Sequence, residues 1–305
     1  MARDWEKTLT SWGKPASQSE EDKRDRTEKA IRKALDADPG VKDLGLKVYA
    51  KGSYANNTNV QGDSDVDINV EYHRTIYYNL DFDLKGKKGS DYGWESSGDE
   101  HPSPTELRRL VEAALVRAFG QGAVKGKDKA IKLSEEANRL EADVVPCYEY
   151  HRYSRLDAGG RPKALVGTKL FPVGGGSIIN WPQQHHDNGV SKNVSTGGRF
   201  KKMVRCLKNL ENEMVEKGEA KQVPSYLIEC LVWNVPSGKF GNETLYKDLR
   251  AVLAVIFNQT QSEQECNDWA EVNDLKYLFR GRRDWTWEQA HELADSAWDY
   301  VGFPS

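Results

Sequence analysis

The chain has 305 residues, a net charge of −3, and 38% hydrophobic against 30% charged residues. This is a globular composition, long enough for one large domain or two closely packed ones, and it lacks the basic excess of a general nucleic-acid binder. The four cysteines, Cys147, Cys206, Cys230 and Cys266, form no close pair, which argues against a zinc cluster and fits buried thiols in a reducing compartment.

No apolar run approaches the roughly 20 residues that a membrane helix needs, and the N-terminal residues lack the apolar core of a signal peptide, so the cytoplasm is the expected location. Acidic residues open a predicted helix over 18–37, where Ala30, Ile31 and Leu35 form a narrow apolar stripe. Strands are expected at 44–50 and 65–72. The polar segment 81–101 reads as a long loop. Ser103 then caps a helix to about Phe119, with Pro104 in its first turn and Glu106 completing a capping box. Two strands are expected near 129–134 and 139–149, followed by glycine-rich hairpins or loops over 155–180. Helical spacing then dominates at 197–217, 224–233, 243–258 and 286–301. Strands come first and helices last, which defines an α+β fold with a core over 1–180 and a helical C-terminal lobe over 181–305.

The chemistry concentrates between Gly52 and Asp67. Gly52 permits a turn that directs backbone N–H groups at an anion, and the Ser53 hydroxyl adds a donor. Asp63, Asp65 and Asp67 are spaced two apart, and residues two apart on a strand share a face. Asp65 and Asp67 abut the apolar strand and are the favoured pair; Asp63 suits the turn after Gly62. Aligned carboxylates repel unless a cation lies between them, and a divalent metal facing phosphate oxygens fits that need. The bland alternative is a solvated acidic strand edge.

Phosphoryl transfer on two metals about 3.5–4 Å apart calls for a third carboxylate. Asp143, flanked by Leu140, Ala142, Val144 and Val145, is the first choice, because a charge in an apolar strand needs a partner. Glu141, on the same face, is the second. A structural salt bridge is the competing role for Asp143. In the helical half, Lys202, Arg205 and Lys208 recur at helical spacing, as a phosphate-binding stripe or simply a solvated face. Adjacent His185 and His186, with no nearby cysteine cluster, give little support to a metal role.

The succession of Gly52 and Ser53, then Ser64, Asp65 and Asp67, then Asp143 in an apolar strand resembles the DNA-polymerase-β-like nucleotidyltransferase superfamily. More narrowly, the chain resembles the bacterial cGAS/DncV-like nucleotidyltransferases (CD-NTases) of anti-phage CBASS systems. That narrower likeness rests on the runs 52–58 and 143–147, and on Asn180, Trp181 and Pro182, Asn188 and Gly189, Gly197 to Lys201, and Cys206 to Lys208. It spans about residues 45 to 235.

The resemblance implies a mixed-sheet core and a helical lobe with NTPs in the cleft between them. It implies two Mg²⁺ ions, with Mn²⁺ as an alternative, on Asp65, Asp67 and Asp143. It assigns the donor triphosphate to Ser53 and the Gly52 backbone. Lys208 matches a triphosphate-contacting lysine of animal cyclic GMP–AMP synthase. Ser225 and Tyr226 match a phosphate-contacting serine and a base-stacking tyrosine there, though Tyr226 equally suits a core aromatic. Asp143 can help deprotonate the attacking hydroxyl. The implied product is a cyclic di- or trinucleotide, which reaches an effector by diffusion. The implied partners are NTP substrates, with no membrane and no strong DNA-binding signature. A linear oligonucleotide, or transfer to RNA, an antibiotic or a protein, is the alternative.

Overall fold

In the computed structural model the described residues are 3–60, 65–82, 84–94, 101–281 and 284–304, without the Arg155 side chain. The expected turn at Gly62, Asp63 and Ser64 therefore lies outside them. The chain forms two compact units. One joins Gln18–Gly52 to Asp65–Gln183, and the other joins Met1–Ser17, Ser53–Ser64 and Gln184–Ser305. Against an expected boundary at 180/181, the helical unit thus also takes an N-terminal segment and the segment that begins at Ser53.

The first unit is built on a seven-stranded mixed sheet. Its strands are β1 (Lys47–Lys51), β2 (Val66–Asn79), β3 (Val124–Gly126), β4 (Ile131–Leu133), β5 (Ala142–Leu156), β6 (Pro162–Leu170) and β7 (Ile178–Asn180). The order runs β1-β2-β5-β4-β3, and β6 pairs with both β5 and β7. Among the described residues only β2 and β5 are parallel. Parallel neighbours need a long crossover, here supplied by the chain that includes α4 (Pro104–Phe119).

Alternation along β2 makes the sheet two-faced. Val66, Ile68, Val70 and Tyr72 are buried, and their parity separates them from Asp67, Asn69 and Glu71. Helix α2 (Gln18–Ala37) buries Ile31 and Leu35, and α4 buries Leu107, Val111 and Leu115. The Thr27 hydroxyl accepts from the Leu140 backbone N–H (2.9 Å), which ties α2 to the entry of β5. Ser103 caps α4 by accepting from Glu106 N at 3.3 Å. This is one half of the expected capping box.

The helical unit contains α1 (Trp5–Trp12), α5 from Gln184 onward (the helix spans Pro182–Ser195), α6 (Arg199–Glu216), α7 (Ser225–Asn234), α8 (Leu245–Gln259), α9 (Glu263–Cys266) and α10 (Trp287–Val301). Phe200, Met203, Leu207, Leu227, Leu231 and Leu253 lie in one apolar core there. Between the units in sequence stands α3 (Gly52–Asn56), a single helical turn. Helices α6, α7, α8 and α10 fall within two residues of the expected limits. Helices α1 and α5 were not expected, because α5 carries Asn188 and Gly189 and has a weak apolar stripe. Strand β2 runs well beyond the expected 65–72, and β5–β6 and β6–β7 are antiparallel hairpins within the segment where hairpins or loops were expected. All four cysteines are buried free thiols.

Candidate active site

Asp67 and Asp143 are register partners on the adjacent parallel strands β2 and β5. Neighbouring strands are roughly 4.7–4.9 Å apart and paired residues point to one face, so the two carboxylates stand side by side. The row continues to Lys51 on β1, opposite Asp67, and to Lys132 on β4, opposite Asp143. Two like charges therefore sit mid-row, with a lysine on each flank.

Asp65 lies just before β2, with a partly exposed side chain whose Oδ2 is 3.7 Å from Lys132 Nζ. Lys132 also pairs with Glu141, and Lys127 Nζ donates to Asp143 Oδ1 at 3.2 Å. Burial, the hydrogen bond to Glu141 and the charges of Glu141 and Asp143 raise the Asp65 pKa against the pull of Lys132. Burial raises that of Asp67 as well; the Asp143 charge adds to this and Lys51 opposes it. Glu141 goes the other way, because its hydrogen bond to Lys132 favours the carboxylate.

Gly52 touches the same group. Its φ is +69°, in the left-handed region, and a Cβ there would overlap Asp67 Oδ2. Glycine is required on both counts. Among the described residues no three His, Cys, Asp or Glu side chains are gathered tightly enough to hold an ion as they stand; Asp65, Glu141 and Asp143 engage Lys127 and Lys132 instead. The donor chemistry nevertheless fits a hard divalent cation. Its oxygens are hard, its carboxylates repel one another, and a Cβ-free approach is kept at Asp67.

The remaining predicted residues belong to the helical unit. Ser53 is half-buried in α3, and its carbonyl accepts from Thr58 N at 2.9 Å. Lys208, expected to face a triphosphate, is only 4% exposed, and its Nζ donates to the Thr58 carbonyl at 3.0 Å. Arg205 is also buried; it donates to the carbonyls of Gly13 and Asn57. The stripe is therefore no solvated face, except at Lys202, which is exposed.

Ser225 is exposed at the first position of α7. The Tyr226 ring lies 5.6 Å from that of His185 and 6.0 Å from that of Trp285, and its hydroxyl donates to Glu271 Oε2 at 3.0 Å. The sequence reading missed Lys201. It precedes Arg205 by four residues and Lys208 by seven, which is closer to one helical face than Lys202 lies. Lys201 is half-buried, and burial lowers its pKa, with the charge of Glu229 opposing this. It also missed Glu229, because an acid inside an apolar helix gives no sign of its partners. His185 Nε2 is 2.8 Å from Glu229 Oε1.

Comparison with known proteins identifies the family. A nucleotidyltransferase domain matches residues 28–164, and a cGAS/DncV-like nucleotidyltransferase C-terminal helical domain matches 187–302. The chain is thus an enzyme of the nucleotidyltransferase class. Similar curated proteins include the cyclic dipyrimidine nucleotide synthase CdnE of Cecembia lonarensis, 38% identical with 99% of this chain and 100% of the relative covered. The protein of the same name from Legionella pneumophila is 36% identical, with 99% of each chain covered. Among solved structures, the Rhodothermus marinus CdnE c-UMP-AMP synthase with Apcpp and Upnpp matches with a TM-score of 0.80 and 28% identity, covering 98% of each chain. The chain belongs to the cGAS/DncV-like nucleotidyltransferases, the CD-NTases of CBASS systems. Among the described residues no helix is long and apolar enough to cross a membrane.

Proposed function

We propose that this enzyme joins NTPs, at least one of them ATP, into a cyclic di- or trinucleotide, releases pyrophosphate at each transfer, and so activates a downstream anti-phage effector. The supporting observation is the pairing of Asp67 with Asp143 across two parallel strands, with Asp65 at the entry of the first. Relatives over the full chain are synthases of cyclic dinucleotides.

In this reading Asp65, Asp67 and Asp143 hold two Mg²⁺ ions. Bound there, the metal would supply Lewis acidity to the α-phosphate and the attacking hydroxyl. Asp143 accepts the proton of that hydroxyl. Gly52 keeps space beside Asp67, and Ser53 donates to the triphosphate of the donor NTP. Lys201 and Ser225 add contacts to phosphate, while Lys202, on the solvent side of α6, contributes least. Tyr226 stacks on a base. Holding donor and acceptor in line supplies much of the remaining rate enhancement.

The test is incubation of the purified chain with labelled NTPs and Mg²⁺, then phosphatase treatment and mass spectrometry. A phosphatase-resistant product with the mass of a closed ring is expected. A phosphatase-sensitive product, or label carried on RNA or protein, would replace this reading with a linear or macromolecular acceptor.

A further inference from the structure

The turn after Ser53 is held by charges buried in the helical unit. Thr58 is wholly buried, and three of its polar groups are engaged. Its N–H donates to Ser53 O at 2.9 Å, its carbonyl accepts from Lys208 Nζ at 3.0 Å, and its hydroxyl donates to Glu229 Oε2 at 2.8 Å. Next to it, Asn57 has a left-handed backbone (φ 54°), and its carbonyl accepts from Arg205 Nη1.

Glu229 is the node of this arrangement. It is 3% exposed, takes His185 Nε2 on Oε1 at 2.8 Å, and has Lys208 Nζ 3.8 Å from Oε2. Burying an ion pair costs several kcal/mol of desolvation per ion, and well-packed apolar side chains often serve stability as well or better. The group is therefore poorly explained by stability alone. Its geometry supplies another reason. A five-residue helical turn followed by a left-handed asparagine is not a self-supporting structure. Glu229 and Lys208 hold Thr58 at two points, one through the hydroxyl and one through the carbonyl.

We propose that Glu229 is a positioning residue for the donor nucleotide. Acting through Thr58, it fixes the turn that presents Ser53, and Lys208 acts on the nucleotide through the Thr58 carbonyl, without touching phosphate. The proposal rests on Ser53 as a donor-phosphate ligand.

The test uses full-length variants, calorimetric titration with a non-hydrolysable ATP analogue and Mg²⁺, and steady-state kinetics. Thr58→Val keeps the shape and removes one buried hydrogen bond. It should weaken analogue binding and raise the KM for ATP about tenfold, with kcat changed less, and Thr58→Ser should restore both. Adding Lys208→Met or Glu229→Gln to Thr58→Val should cost no more than the worse single change, because all act through one turn. Wild-type binding by Thr58→Val would overturn the proposal, as would fully multiplicative losses in either double variant. Ser53→Ala separates the layers. If it leaves binding unchanged, the underlying reading fails and the proposal with it. If it weakens binding while Thr58→Val does not, the positioning role alone fails. Should Glu229→Gln fold poorly, Thr58→Val and its serine rescue carry the test.

Discussion

The acids of the sheet unit and the acid at the heart of the helical unit are held in opposite ways. Burial raises the pKa of Asp65 and Asp67, and neighbouring carboxylates raise it further. Burial also pushes Glu229 up, but His185, Lys208 and the Thr58 hydroxyl overcome it and hold the pKa at about 2. Glu229 has every partner it needs within its own unit. The sheet carboxylates are crowded together and incompletely compensated by Lys51, Lys127 and Lys132. A buried acid that is satisfied is a strut; acids that repel one another are waiting for a cation from outside.

The largest expected effect comes from neutralising the crowded acids. Asp65→Asn combined with Asp67→Asn should abolish product, read by chromatography of labelled nucleotides. The fold should survive, and the metal-free protein should melt higher at neutral pH. The sign follows from linkage. A carboxyl whose folded-state pKa is raised favours the folded state below its unfolded value near 3.8, and that advantage is lost as pH rises through the folded value. At neutral pH the ionised pair therefore costs stability that asparagine does not. A lower melting temperature would mean that the lysines already compensate the pair. For the same reason the acid limb of the pH–rate profile should lie above the ordinary carboxylate range at low metal concentration, and move down as metal is added.

Glu229→Ala should do the reverse. It strands Lys208 and His185, and removing one partner of a buried pair costs about 3–5 kcal/mol, measurable by urea unfolding. In the wild type, the contribution of Glu229 should be complete above pH 4.5 and lost as pH falls toward about 2. An unchanged midpoint would show that the helical core tolerates the loose cations.

Smaller effects sharpen the contrast. Gly52→Ala places a methyl against Asp67 and strains a left-handed residue, a backbone cost of about 1–2 kcal/mol. Activity should fall sharply while the melting temperature drops only modestly; unchanged activity would mean that Asp67 can move aside. Lys201→Ala should raise the KM for ATP by several-fold, as expected for loss of a charge-assisted hydrogen bond. Lys202→Ala, at an exposed position, should have a much smaller effect. Equal effects would restore Lys202 as a nucleotide contact.

Much of this was legible in the sequence. The Asp65 and Asp67 spacing, the apolar setting of Asp143 and the glycine at 52 each carry a local physical signature. What stayed hidden depends on register and burial. Nothing in sequence pairs Asp67 with Asp143 residue for residue, or sets Lys132 opposite Asp143. Lys208 reads as a triphosphate contact or a solvated basic residue until its surroundings show it 4% exposed and bonded to Thr58. Helix α5 was missed because its glycine and asparagine obscure a helical face that packing stabilises.

The parallel pairing of β2 with β5 also bears on when the site comes into being. Asp67 leaves the ribosome long before Asp143, with all of α4 and the β3–β4 hairpin still to be made. Contacts so distant in sequence form slowly, because the intervening chain must be closed before they give any return. Until then Asp67 stands without the carboxylate that faces it, and β2 keeps one unpaired edge. The pairing of the two carboxylates therefore arrives in one step, when β5 docks on β2.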